Sequence, residues 1–253
     1  MENGSIEPSE ICPRHQRPLI TQAPIMVLGR TLRRPRLCSK CEEEERQKAL
    51  DETARSRQYA QILLRRDSGI PERYQAATLE QLRRTSAKEI EAANSITRFA
   101  EGLGKSITAL VIIGGVGTGK TFMGSALVHY WIQHDRSAVY TTAIQALRKI
   151  KSSWSSESPN AEAKAIRSLT APELLVIDEV GVQFNSHTET VFLTEIINGR
   201  YNSFKPTVVI SNLTLKELTG VMGDRAVDRL LERGKVVPCA WPSYRRQSAG
   251  LSS

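Results

Sequence analysis

Residues 114–121, GGVGTGKT, follow directly on the apolar run ALVII and lead into a segment of helix formers. They match G-x-x-x-x-G-K-[ST] in full, at the strand-to-helix junction where that pattern binds phosphate. Gly114, Gly115, Val116, Gly117, Thr118 and Gly119 would turn successive backbone N–H groups inward as an anion nest, and the helix beyond would add its positive dipole end. Lys120 would bridge the β- and γ-phosphates and Thr121 would ligate magnesium through its hydroxyl, so ATP and Mg²⁺ are the expected cofactors. A glycine-rich turn that binds nothing is the competing reading, and the Lys-Thr pair in this context weighs against it.

Outward from the loop, the rhythm is strand and helix. ITALVII (107–113) is a continuous apolar run, as a strand covered on both faces requires. A helix over 120–133, a strand SAVYTT (137–142), a helix over 143–154, a soft loop SSESPN and a helix over 161–168 follow. ELLVIDEV (173–180) and TVVISN (207–212) are further buried strands, separated by a helix over 188–200. This alternation predicts an α/β domain, a parallel sheet flanked by helices. The run LLVID carries Asp178 to the edge of the sheet beside the phosphate loop, where a carboxylate would support magnesium. Glu179 next to it is placed to activate a water, which tilts the reading from phosphoryl transfer towards hydrolysis; two solvated acids at a strand end are the bland alternative. Asn212, at the edge of the next strand, could reach the same γ-phosphate, although Ser-Asn is also a plain turn signal.

The stretch GDRAVDRLLERG places Arg225, Arg229 and Arg233 on one face of a short helix. Interleaved acids allow an ion-paired structural face, while the functional reading is an arginine finger supplied by a neighbouring copy. The chain of 253 residues carries a net charge of +8, a prior for a polyanionic partner, and its 40% hydrophobic content is ordinary for a globular protein. No apolar run approaches the ~20 residues of a membrane helix, and the polar start MENGSIEPSE is no signal peptide, so a cytoplasmic protein with no membrane partner is expected.

Three of four cysteines crowd the first 41 residues. Cys12 and His15 form a C-x₂-H pair, Cys38 and Cys41 a C-x₂-C pair, two knuckles that suit tetrahedral zinc. Ordinary reduced thiols beside a surface histidine are the alternative. His129, His134 and His187 lack ligand spacing and read as surface or packing residues, and Cys239 as a buried thiol. Residues 42–66 read as an exposed connecting helix, with acids leading and arginines closing it. A helix over 88–103 closes at Gly104, and the tail SAGLSS reads as disordered. The organisation expected is a zinc-binding N-terminal module (1–41), a connecting helix (42–68), a nucleotide-binding domain (69–246) and a flexible tail (247–253).

These motifs in this order resemble the bacterial helicase loaders of the AAA+ class, the DnaC-like proteins, and more distantly the IstB transposition helpers. The resemblance runs from about residue 69 to 246. It takes in GIPERYQAATLEQL, GGVGTGKT, TTAIQALRKIKSSW, LLVIDEVG, EIINGRYNSFKPTVVISNLTLKEL, GDRAVDRLLERG and the terminal WPSYR. It implies an AAA+ P-loop NTPase core that is an ATPase, with its ATP site completed between subunits of a homo-oligomer. It implies Lys120, Thr121, Asp178, Glu179 and Asn212 in one protomer, and Tyr74 among the nucleotide-binding residues. Arg229 becomes the better finger candidate, with Arg225 nearby as a second phosphate sensor. A helical element around 143–168 would face single-stranded DNA, with Lys149 and Lys151 on phosphates and Trp154 either stacking on bases or packed in the core. The function implied is ATP-dependent loading of a replicative DNA helicase onto single-stranded DNA, hydrolysis timing its release. An IstB-like transposition helper and a non-hydrolysing DNA-binding adaptor are the alternatives. The zinc module departs from the best-known loader and looks more like Cys/His modules of phage relatives; helicase and DNA are both open as its partner.

Overall fold

In a computed structural model of the chain, residues 11–20, 24–27, 29–32, 36–155, 158–181 and 187–248 are described. The chain divides into two compact units, Met1–Tyr59 and Ala60–Ser253. One helix, α1 (Ser39–Arg66), runs from the first into the second.

The first unit holds an antiparallel hairpin of β1 (Ile25–Val27) and β2 (Arg30–Leu32), with isolated bridges pairing Ile11 with Pro18 and Ile20 with Leu37. The sequence reads a helix over 42–66; α1 starts at Ser39 and so takes Cys41 into its first turn. No residue of α1 is buried, as its patchy apolar stripe predicts.

In the second unit a 3-10 turn (Glu72–Tyr74) precedes α2 (Ala87–Glu101). The helix begins with a capping box in which Ser86 accepts from the Glu89 N–H and the Glu89 carboxylate accepts from the Ser86 N–H. Then come β3 (Ala109–Gly114), α3 (Lys120–Gln133), β4 (Ala138–Thr142), α4 (Ala143–Ser153), α5 (Ala161–Thr170) and β5 (Leu174–Asp178). The chain continues through α6 (His187–Asn202), β6 (Thr207–Ser211), α7 (Leu215–Met222), α8 (Asp224–Glu232), β7 (Gly234–Cys239) and α9 (Tyr244–Ser248).

Five strands form one parallel sheet in the order β4-β5-β6-β3-β7. Alternate side chains divide between its faces, as a two-residue period demands. Leu110, Ile112, Val176, Val208 and Ile210 pack with Ile96, Phe99, Leu127 and Trp131 of α2 and α3. Val111, Leu175, Ile177 and Val209 pack with Ile150, Leu169, Leu193, Ile196 and Leu230 of the helices opposite. Both faces are therefore dry, which explains the unbroken apolar runs in β3, β5 and β6.

The strand β7 is unmarked by pattern, since GKVVPC mixes a lysine and a proline into a short run. It survives as the edge beside β3, with Pro238 opposite Ile113, because an edge strand can spare the N–H that proline lacks. Helix α7, eight residues long, opens on a capping box between Thr214 and Glu217 that the sequence reading passes over. Residues 156 and 157 of the SSESPN loop, and the expected tail beyond Ser248, lie outside the described residues.

Arg200 is wholly buried at the end of α6, and among the described residues its guanidinium faces no carboxylate. Its guanidinium donates to the carbonyls of Leu169, Thr170, Pro172, Glu173 and Pro206 and to the Thr207 hydroxyl, tying the starts of β5 and β6 to the end of α5. Burial pulls its pKa down to about 9, which leaves it protonated at neutral pH.

Candidate functional site

Because β6 lies between β3 and β5, the loops after these three strands open at the same sheet edge. Lys120, Thr121, Asp178, Glu179 and Asn212 line one cleft of about 320 Å³ there, together with Val116, Gly117, Gly119 and Tyr74. The Tyr74 ring meets Phe122 edge-on at 6.4 Å, giving this cleft an aromatic wall.

Lys120 is buried, and its ammonium donates to the carbonyls of Gly114 and Gly115 at 2.7 and 2.6 Å. Burial lowers its pKa. The Thr118 hydroxyl donates to the Gly115 carbonyl at 2.9 Å. The backbone N–H groups of Thr118 and Gly119 have no hydrogen-bond acceptor among the described residues. Unspent donors in a turn beside a buried ammonium fit a phosphate group.

Asp178 is buried and heavily engaged. Its Oδ2 accepts from the Thr121 hydroxyl at 2.8 Å and from the Tyr140 hydroxyl at 2.5 Å, while Oδ1 accepts from the Glu179 N–H at 2.7 Å. Two hard oxygens, Thr121 Oγ1 and Asp178 Oδ2, so placed beside the phosphate loop, are a donor set that suits magnesium. Tyr140, a residue sequence reasoning passes over, is pushed well above the usual phenol range by burial and by the Asp178 charge. Glu179 is exposed and has a left-handed backbone with φ 57°, a conformation costing on the order of 1 kcal/mol that recurs at functional sites.

Arg225 and Arg229 do not line this cleft. Arg225 is exposed on the first turn of α8, beside Val191 and Asn198 of α6. Arg229 is half-buried, donates to the Asn198 side chain and lies over the Tyr201 ring. Three arginines do line the cleft: Arg73, Arg83 and, from the chain beyond β7, Arg245. Arg245 gets there because β7 returns the chain alongside β3, a pairing that the sequence pattern does not announce. Trp154 is 53% exposed rather than packed in the core; its indole N–H donates to Glu162 and its ring lies 5.9 Å from Phe192. Lys149 is exposed and Lys151 half-buried on α4, which ends one residue before Trp154.

In the first unit, Cys12, His15, Cys38 and Cys41 offer ligand atoms that all lie within 4.8 Å of one another. His15 Nδ1 is 3.4 Å from Cys38 Sγ and 3.3 Å from Cys41 Sγ, and the Cys12 and Cys41 sulfurs are 3.6 Å apart. Tetrahedral zinc with ordinary bond lengths needs ligand separations of roughly 3.5–3.8 Å, so the cluster fits the metal. His15 Nε2 faces Glu44 Oε1 at 3.2 Å, the carboxylate partner a zinc-bound imidazole usually has. Burial opposes ionisation of Cys12 and Cys38, but hydrogen bonds outweigh it and lower both; burial and the neighbouring thiols push Cys41 up to about 11.

Of the remaining candidates, His129 is buried, His134 is exposed and stacks on Tyr130, and the His187 side chain lies outside the described residues. Cys239 is buried, which raises its pKa to about 12. No helix among the described residues is long and apolar enough to cross a membrane.

A parallel sheet with a glycine-rich phosphate loop after β3, and an acid at the end of β5 one strand removed, defines a P-loop nucleotide-binding protein. The chain belongs to the family of IstB-like ATP binding proteins, whose family model matches residues 105–252. It is 29% identical over 184 residues to a protein of Buchnera aphidicola subsp. Schizaphis graminum named "Replicative helicase loader DnaC", spanning 72% of this chain and 75% of that one. The protein of the same name from Escherichia coli K12 is 28% identical over 184 residues, with the same coverage. A crystal structure of the DnaC helicase loader superposes with a TM-score of 0.60 at 19% identity, over 66% of this chain and 99% of that one. The replication initiator DnaA bound to AMPPCP and single-stranded DNA superposes with a TM-score of 0.60 at 20% identity, over 72% of this chain and 57% of that one. The structural likenesses establish the fold.

Proposed function

We propose that the chain is an ATP-dependent loader of a replicative DNA helicase, acting on single-stranded DNA during replication initiation, with magnesium-dependent ATP hydrolysis timing release. The observation that carries this reading is the similarity to relatives named replicative helicase loaders, which covers three quarters of their length and most of this chain. The geometry of the cleft supports the nucleotide chemistry.

In this reading the Thr118 and Gly119 N–H groups and Lys120 hold phosphate oxygens, and Thr121 and Asp178 hold magnesium. The metal, when bound, neutralises charge on the transferring phosphate. Glu179 accepts a proton from the attacking water, and Asn212 orients the γ-phosphate from the next strand. Tyr74 and Phe122 flank the base. Arg229 of one copy, with Arg225 beside it, completes the cleft of the next, which explains why neither lines the cleft of its own chain. Arg245 takes the phosphate-sensing place within the chain that the resemblance assigned to Arg225. Lys149, Lys151 and the exposed Trp154 form the surface for single-stranded DNA. Cys12, His15, Cys38 and Cys41 hold a structural zinc in the N-terminal module, and the protein works in the cytoplasm as an oligomer.

Steady-state ATPase measurements with and without single-stranded DNA test the enzyme. Glu179→Gln is expected to keep ATP binding and to lose about 10²–10⁴ in kcat; a native protein that binds ATP without turning it over is instead an adaptor. Capture from native lysate tests the partner: a hexameric helicase supports the loader. A transposase supports the second reading, an IstB-like transposition helper, which the family match favours.

A further inference from the structure

The residues after β7 form a strap along the phosphate loop. The Trp241 indole N–H donates to the Thr118 carbonyl at 3.1 Å, and the Tyr244 N–H donates to the Gly117 carbonyl at 2.9 Å. The fit is close: a Cβ on Gly117 would meet the Ser243 hydroxyl at 2.0 Å, and one on Gly119 would meet the Tyr244 ring at 3.2 Å. A trans peptide holds its C=O and N–H on opposite sides. With the Gly117 and Thr118 carbonyls turned to the strap, the N–H groups of Thr118 and Gly119 must face away from it. These are the two donors without acceptors described above.

The strap is anchored in turn by Tyr244. Its hydroxyl donates to Glu89 Oε1 at 2.6 Å, and the Arg83 guanidinium lies 4.2 Å from its ring centroid. Glu89 is buried in the first turn of α2. Its two oxygens have separate duties: Oε2 accepts from the Thr85 and Ser86 N–H and hydroxyl groups, and Oε1 accepts from Tyr244. The next residue after Tyr244 is Arg245, which enters the nucleotide cleft beside Lys120.

We propose that the Glu89–Tyr244 hydrogen bond is a strut: from α2 it positions the C-terminal strap, and through the strap it positions Arg245 against the nucleotide phosphates. Glu89 and Tyr244 are positioning residues here, and the inference rests on the nucleotide-binding reading of the cleft. Because the capping box uses the other carboxylate oxygen, Tyr244→Phe removes the strut and leaves the start of α2 intact.

The test is a double-mutant cycle of Tyr244→Phe and Arg245→Ala on the full chain, read as the dissociation constant of a fluorescent ATP analogue. Each single change is expected to weaken binding about tenfold, the scale of one charge-assisted hydrogen bond. The double variant should stay within about threefold of Arg245→Ala alone, since the strut acts through that arginine. Thermal unfolding confirms that each variant is folded. A hydroxyl with a merely structural role makes the two losses multiply, to about a hundredfold, and that outcome overturns the strut, as does native affinity in Tyr244→Phe. A folded native chain that binds no ATP analogue overturns the nucleotide reading and the strut together.

Discussion

Replacing Arg200 by methionine keeps an unbranched chain of similar reach in the site and removes every donor. Six hydrogen bonds disappear: one from Nε to Thr207, three from Nη1 to Leu169, Thr170 and Pro172, and two from Nη2 to Glu173 and Pro206. The loss is uneven. The Thr170 carbonyl keeps Lys205 Nζ at 2.9 Å, and the Pro206 carbonyl keeps the Leu175 N–H at 3.2 Å. The carbonyls of Leu169, Pro172 and Glu173 have no second donor among the described residues. Leaving the buried Leu169 carbonyl and the half-buried ones of Pro172 and Glu173 unpaired costs roughly 1–3 kcal/mol each, the half-buried pair towards the lower end, so a loss of about 4 kcal/mol is expected. For a unit of this size that lowers Tm by roughly 8–16 °C. Circular dichroism melts of the native chain and Arg200→Met measure it directly, with Arg200→Lys expected between them because one ammonium cannot span all the acceptors. A Tm for Arg200→Met within about 2 °C of native refutes the idea that this guanidinium holds β5, β6 and α5 together.

Three further outcomes are expected. Tyr140→Phe removes the 2.5 Å bond to Asp178 Oδ2 and frees that carboxylate to rotate; magnesium-dependent binding of the fluorescent ATP analogue should weaken by about three- to tenfold, while binding in EDTA stays the same. Purified protein should contain close to one zinc per chain by elemental analysis; Cys38→Ser should lose the metal and Cys239→Ser keep it, and equal zinc in both variants contradicts the four-ligand site. Burial opposes the charge on Glu89, but hydrogen bonds from Thr85, Tyr244 and Ser86 prevail and depress its pKa from 4.5 to about 2. The folded value lies below the unfolded one, so the stabilisation is present above pH 4.5 and lost as pH falls towards 2. The stability gap between native protein and Glu89→Gln in urea titrations should close over that interval, and a gap that persists at its acid end counts against the network.

Local chemistry carried much of the reading. The phosphate loop is contiguous, so its glycines, lysine and threonine declare themselves in eight residues. The strands beside it are apolar on both faces, and their runs stand out without any knowledge of their neighbours. The two cysteine knuckles are short enough for spacing to bring their ligands close, although their meeting across 22 intervening residues is a tertiary event. Trp154 shows the limit: a tryptophan on an amphipathic helix reads equally well as core or platform, and only its exposure in the fold separates the two.

What the amino-acid sequence determined alone was the α/β class, the identity of the phosphate-binding turn and the candidates for metal and water chemistry at the strand ends, because each depends on residues within one turn or one strand of each other. Strand order was decided only in three dimensions. Periodicity says which face of a strand is dry but not which strand lies beside it. Placing β7 against β3 brings Arg245 into the cleft, and placing β4 against β5 sets Tyr140 on Asp178. The same long-range packing lays Tyr244 on Glu89, residues 155 positions apart, and buries Arg200 among carbonyls from the end of α5 and the connections before β5 and β6. Such contacts join groups with no local pattern linking them, so the completed chain fold is what specifies them.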